Sequence, residues 1–325
     1  MARYILSAIL VLLICLISCT ATQIQPPQPA TVPFTQPATP EKLFTIIALP
    51  DTQYYSKAYP ATFTAQTQWI KDNTISKNIV FTIHLGDITE SQRNSSEPVK
   101  AEWTNAKNAM DLLNGLKYSV LPGNHDNLVK GKIDNTFFNS VFPCTEFEKY
   151  SWYGGHYPPN GNENSYSLLD ISGQKLLILS IGYFGHLTQP TAELSMLFDW
   201  ANAAIARYPE RRVIVATHAM IDEKGEFLEE GKLLWDQVIK RHKNVFLVLC
   251  GHMHTESTVT RTGESCNVIN ILLSDYQSDE KGGNGYLRVM EFIPDQSIIH
   301  VETFSPLLNK LRDKSTSFDL AYTFQ

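Results

Sequence analysis

Short apolar runs that stop at polar, ligand-like residues are the dominant pattern of this chain. Residues 43–49, 79–85, 118–121, 213–216 and 245–249 are continuous apolar stretches of the kind a fully buried strand shows. Each leads into a polar segment: Asp51-Thr52-Gln53, Gly86-Asp87, Gly123-Asn124-His125-Asp126, His218, and Gly251-His252-Met253-His254. Helices are predicted over 60–75, 190–208 and 231–242. A further one runs from the start signal Ser96-Glu97-Pro98 to residue 114, with Gly115 as its stop. Residues 166–170 and 175–180 form a predicted hairpin around Gly173, and 268–273, 286–292 and 297–303 read as further strands. Alternating strand and helix followed by mostly strand predicts two sheets packed together with helices outside. Residues 127–164 break the pattern. Phe137, Phe138, Tyr150, Trp152, Tyr153 and Tyr157 sit there among Gly and Pro, which predicts a long aromatic loop insertion near a site.

The first residues belong to targeting rather than to the fold. Arg3 precedes an apolar run over 4–17, too short for a comfortable membrane span and suited to a signal-peptide core. Leu16-Ile17-Ser18-Cys19 resembles a bacterial lipoprotein box, in which Cys19 becomes the lipidated first residue. An ordinary signal peptide or an uncleaved anchor reads the same run. Residues 20–41, rich in Pro, Thr, Gln and Ala, form an extended tether. The expected organisation is a signal peptide at 1–18, lipidated Cys19 and tether at 19–41, a catalytic-size domain at 42–305 and a tail at 306–325. The protein is then exported and membrane-anchored, facing the periplasm or the cell exterior. Net charge is −6 and no basic patch stands out, so nucleic-acid binding is not suggested. Cys144, Cys250 and Cys266 allow at most one disulfide in the domain. No CxxC spacing exists, which argues against a cysteine-based zinc site.

One Asp after a strand is more often a helix cap than a ligand. Five polar strand ends in one chain instead predict a site built at the carboxyl edge of a sheet. Carboxylate, amide oxygen and imidazole suit Mn, Fe, Zn or Ni, and their number suggests two metal ions. In their order, Asp51-x-Gln53, Gly86-Asp87, Gly123-Asn124-His125-Asp126, His218 and Gly251-His252-x-His254 resemble the motifs of the calcineurin-like metallophosphoesterases. The resemblance implies a four-layer αββα sandwich and a dinuclear centre. Asp51, Gln53, Asp87 and His254 would hold one ion, and Asp87, Asn124, His218 and His252 the other. It further implies hydrolysis of a phosphomonoester or phosphodiester by a hydroxide bridging the two metals, with His125 assisting the leaving group and Asp126 orienting His125. The family usually has His at the position of Gln53; Asp-x-Gln resembles one branch of it. The substrate class would be a small-molecule, lipid or nucleotide phosphate ester.

Two other functions compete: a surface binding protein that keeps the fold without turnover, and a metallohydrolase of a non-phosphate ester. Tyr54, Trp152, Tyr153, His156 and Tyr183 are candidate substrate contacts, and Asp275-Tyr276-Gln277 a candidate border of the site. His84 reads as a core or supporting histidine and His242 as a helix-end residue.

Overall fold

The computed structural model describes residues 43–94, 100–313 and 316–322. The leader, Cys19, the tether and the start signal at 96–98 lie outside the described residues. The first sheet holds β1 (Phe44–Leu49), β2 (Ile79–His84), β3 (Tyr118–Ser119), β13 (Leu287–Ile293), β14 (Ile298–Ser305), β15 (Lys310–Leu311) and β16 (Phe318–Ala321). The second holds β6 (Tyr153–Tyr157), β7 (Asn164–Ile171), β8 (Gln174–Ile181), β9 (Arg212–Thr217), β10 (Val245–Cys250), β11 (Glu256–Thr262) and β12 (Val268–Ser274). β4 (Leu128–Val129) and β5 (Lys132–Ile133) form a small separate hairpin. Both sheets are mixed. β1, β2 and β3 are parallel in one; β8, β9, β10 and β12 are parallel in the other.

The continuous apolar runs have a simple cause: both faces of these strands are covered. In β8, Leu176 and Ile178 join the core shared with the first sheet, while Leu177, Leu179 and Ile181 join a second core. β9 divides the same way, with Ile214 and Ala216 inward and Val213 and Val215 outward. On the first sheet lie α1 (Gln53–Ala58), α2 (Pro60–Asn73) and α3 (Lys100–Met110), where Phe63 meets the His84 ring at 5.8 Å and Trp69 meets Phe304 at 5.1 Å. After β3 comes α4 (Asn124–Asn127), and the insertion carries α5 (Thr136–Val141) and α6 (Cys144–Phe147). On the second sheet lie α7 (Ala192–Ala206), capped by the Thr191 hydroxyl, and α8 (Glu229–Gln237). The result is the αββα sandwich expected from the motifs.

Two expectations change. Residues 127–164 are not one long loop but a run of short elements, and Ile133, Asn135, Tyr157 and Glu163 among them line a cavity beside Tyr183. Phe138, Phe142, Phe147 and Trp152 are buried in the core between α3 and the sheets, and β6 extends the second sheet. Residues beyond 305 are not a free tail. β16 pairs antiparallel with β14, from Ile298↔Ala321 to Val301↔Phe318, and His300 Nδ1 lies 2.7 Å from Asp319 Oδ1 across the pair. The open edge of β14 is what the tail satisfies. Of the at most one disulfide the sequence allowed, none forms among the described residues: Cys144 and Cys250 are buried and free, and Cys266 is exposed and free. Among the described residues no helix is long and apolar enough to cross a membrane.

Candidate metal centre

The parallel strands of the two sheets direct their carboxyl ends to the same place. β1 delivers Asp51 and, at the first position of α1, Gln53. β2 is followed by Gly86-Asp87, and β3 by Asn124 and His125 at the start of α4. From the second sheet come His218 after β9, His252 and His254 after β10, and Asp275 and Gln277 after β12. The turns are tight. Gly86 has φ +93°, and a Cβ there would fall 2.8 Å from both Gly123 N and His218 Nδ1. Asp87 and His252 themselves adopt positive φ, +47° and +76°. Non-glycine residues in that region are held there by their surroundings at some energetic cost, a condition common at ligand sites.

The geometry converges on His218. Its Nδ1 donates to Leu85 O at 3.0 Å, which turns Nε2 toward Asn124 Oδ1 (2.9 Å), His252 Nδ1 (3.1 Å) and Asp87 Oδ1 (3.4 Å). Ligand atoms of Asp87, His218 and His252 all lie within 4.8 Å of one another. The other half is held more loosely. Asp51 accepts the His252 N–H, Gln53 Nε2 donates to Glu90 Oε2 at 2.8 Å, and His254 is tied to Gln277 and, at 3.0 Å, to Ser278 Oγ.

Electrostatics follow from burial. It opposes the charge on Asp87, but His218, and after it His125 and His252, outweigh it and hold this carboxyl below its usual range. Burial works against His218 as well, yet Asp87 pushes its pKa up. His252, desolvated and facing His218, is lowered to about 3 and is neutral. Asp51 is pushed well up by burial, then by Asp275 and Asp87. Acceptor atoms facing one another at these distances form a set that a divalent cation satisfies. Gln53 Oε1, Asp275 Oδ2 and Gln277 Oε1 are also buried and accept no hydrogen bond, and a cation would give such oxygens a partner. The donor set therefore fits metal ions.

The calcineurin-like phosphoesterase family model matches residues 44–256. The chain belongs to this family. It is 32% identical over 274 residues to the uncharacterized protein YvnB of Bacillus subtilis, covering 81% of this chain and 20% of that one. It is 24% identical over 184 residues to a probable glycerophosphodiester phosphodiesterase, GpdQ, of Arcobacter nitrofigilis, covering 54% of this chain and 57% of that one. The chain thus spans a fifth and somewhat over half of these two curated relatives. In fold it is similar to a dimetal phosphatase from Danio rerio, with TM-score 0.56 at 11% identity over 87% of this chain and 100% of the other. It is also similar to GAP50, the anchor in the inner membrane complex of Plasmodium, with TM-score 0.52 at 11% identity over 88% and 90%.

Within this calcineurin-like phosphoesterase, several side chains stand elsewhere than the motifs suggested. Asp126 does not touch the His125 ring. Its carboxylate accepts the backbone N–H groups of Gly123, Ile88 and Thr89 and the Thr89 hydroxyl, and so pins the Asp87 loop to the α4 loop. Glu90 takes the orienting place instead: its carbonyl accepts from His125 Nδ1 at 2.7 Å and its carboxylate lies 3.2 Å away. With Glu90 and Asp87 outweighing burial, His125 is raised to about 9. Arg93, also unmarked in the sequence, brings its guanidinium to 3.5 Å from His125 Nε2. Tyr54 and Tyr183 do reach the centre. Tyr54 neighbours Gln53 and Glu90, and the Tyr183 ring lies 6.0 Å from His218 and 6.3 Å from His252. Trp152 and Tyr153 do not line it. Trp152 is buried against Tyr150 and Phe81, and Tyr153 stacks on Phe147 and bonds Asn162. His156 pairs with Glu148 rather than facing this centre. His84 is a buried support, lowered to about 3 by burial and bonded to Thr52 and the Gly86 N–H.

The Glu90 contact carries an expected result. Glu90→Gln should lower kcat about tenfold to a hundredfold with KM nearly unchanged, as for other residues that orient a working side chain. Steady-state kinetics beside a thermal melt check this. Equal loss in kcat and melting temperature would make Glu90 merely structural.

Proposed function

We propose that this chain is a metal-dependent phosphoesterase acting on phosphodiesters, and more weakly on phosphomonoesters, through the centre just described. The convergence of Asp87, Asn124, His218 and His252 carries this reading. These four would hold one divalent ion; Asp51, Gln53 and His254 would hold a second, with Asp87 shared. Such ions supply Lewis-acid polarisation of a phosphoryl oxygen and acidification of a water. The chain's own residues do the rest. His125, fixed through Nδ1 on Glu90, turns Nε2 toward Arg93, where it would carry a proton to the departing oxygen. Arg93 stands where it can meet a phosphate oxygen. A mostly apolar cavity of about 420 Å³, lined by Tyr183, Phe184, Leu187, Leu194 and Leu197, would take the organic group of the ester. The relative titled a glycerophosphodiester phosphodiesterase supports the diester. The leader and Cys19 would place this activity outside the membrane.

The test starts from purified protein stripped by chelation. It is assayed on bis-para-nitrophenyl phosphate, para-nitrophenyl phosphate and a nitrophenyl carboxylic ester, with Mn, Ni, Zn, Fe or Mg restored in turn. Release from the diester only with metal is expected. Metal at a hundredfold its Kd should also stabilise the fold by about 2.7 kcal/mol. Release from the carboxylic ester alone would identify a different metallohydrolase. Ligand binding without turnover under every metal would identify a surface binding protein.

A further inference from the structure

The insertion contains a second set of metal-ligand atoms, separate from the residues of the centre above. Cys144 opens α6, Glu148 caps its C-terminal end, and His156 lies on β6. One ligand atom from each lies within 4.8 Å of the other two. Cys144 and Glu148 are one helical turn apart, and the Glu148 N–H donates to Cys144 O at 2.9 Å. The histidine is oriented as a ligand would be. Its Nδ1 lies 3.1 Å from Pro158 O, and a carbonyl only accepts, so Nδ1 carries the hydrogen. Nε2 then faces Glu148 Oε1 at 2.9 Å. Two acceptors at that distance need a proton or a cation between them. The Tyr153 ring stacks on the imidazole with centroids 5.9 Å apart and fixes its plane. A metal-binding histidine commonly donates its other nitrogen to a backbone carbonyl in this way.

We propose that Cys144, Glu148 and His156 bind a zinc-like divalent cation that clamps α6 to β6. Sulfur, nitrogen and carboxylate oxygen together favour Zn²⁺ over Mg²⁺ or Ca²⁺. Cys144 is buried, and the Glu148 side chain is half exposed, so the fourth position opens to water. Binding converts the Cys144 thiol to thiolate and releases its proton. The clamp would fix the segment that lays Phe147 and Trp152 into the core. The spacing, Cys-x3-Glu-x7-His, matches no cysteine-pair signature, so the sequence pattern alone argued against it.

Cobalt(II) tests the site on the full-length, metal-stripped protein, because a thiolate ligand gives a near-ultraviolet charge-transfer band. The phosphoesterase centre has no sulfur donor. The expected result is a band whose full amplitude corresponds to one thiolate-bound cobalt per chain, which persists in Asp87→Asn and disappears in Cys144→Ser. His156→Ala and Glu148→Gln should weaken cobalt about tenfold or more. Absence of the band in the unmodified protein would overturn the proposal, as would its survival in Cys144→Ser. Glu148→Gln alters a half-exposed side chain and guards against a Cys144 variant that does not fold; unchanged cobalt affinity in it would also overturn the site. Activity with metal in the main centre, measured in parallel, distinguishes loss of this clamp from loss of the centre itself.

Discussion

Asp87→Asn should reduce kcat/KM on a nitrophenyl phosphodiester by about a thousandfold or more. The figure corresponds to several kcal/mol of transition-state stabilisation, the scale expected when charge stabilisation by bound ions is disrupted. Asp87 lies against the His218 half of the centre and acts electrostatically on the Asp51 half. It faces His218 Nε2 at 3.4 Å, accepts the His125 N–H at 2.8 Å and raises the pKa of Asp51. Asn keeps the shape and still offers an oxygen to the His125 N–H, so the fold should survive. What is lost is the negative charge that attracts cations from both sides. Metal content by elemental analysis should fall together with activity, while the melting temperature of the metal-free protein stays close to that of the parent. Full metal content with unimpaired turnover would remove Asp87 from the centre.

His125→Ala should lower kcat by about a hundredfold to ten-thousandfold, the range for a positioned general acid. The loss should depend on the leaving group. Nitrophenolate leaves with little help from a proton, whereas an alkoxide cannot, so an alkyl ester should suffer far more than a nitrophenyl ester. Metal content should be unchanged, since the ring points to Glu90 and Arg93 and not into the His218 cluster. The decisive measurement is the slope of rate against leaving-group basicity in the parent and the variant. Identical slopes would rule out proton donation, whatever the size of the rate loss.

Much of the centre was legible because its ligands occupy strand ends, where a covered sheet forces an apolar run and a following Gly marks a close backbone approach. Asp51, Asp87, Asn124, His218 and His252 all stand at such strand ends, with a Gly before Asp87, Asn124 and His252, and the family resemblance grouped them as ligands. Glu90 carries neither mark. It sits in a loop without periodicity, and its role depends on residues 88–93 turning back toward α4. Asp126 misled for a related reason: adjacency in sequence to His125 suggested a contact, but α4 turns its carboxylate toward backbone N–H groups of two loops. The aromatic residues of the insertion were ambiguous, since a ring can line a pocket or fill a core. Burial of Trp152 beside Phe81 settles that choice, and only the tertiary fold contains it. The β16 pairing was equally hidden, because a four-residue strand has too few positions to show alternation.

That last strand has a consequence for how molecules of this protein meet one another. β15 and β16 together cover the outer side of β14, an eight-residue strand that would otherwise present a ladder of free N–H and C=O groups. A chain clipped by a protease after residue 313 would keep every residue of the phosphoesterase centre. It would also leave β14 uncovered over Ile298–Val301, a stretch free to pair with the same stretch of a second copy. Among such molecules, residues 318–321 decide between a dispersed population and a self-templating one.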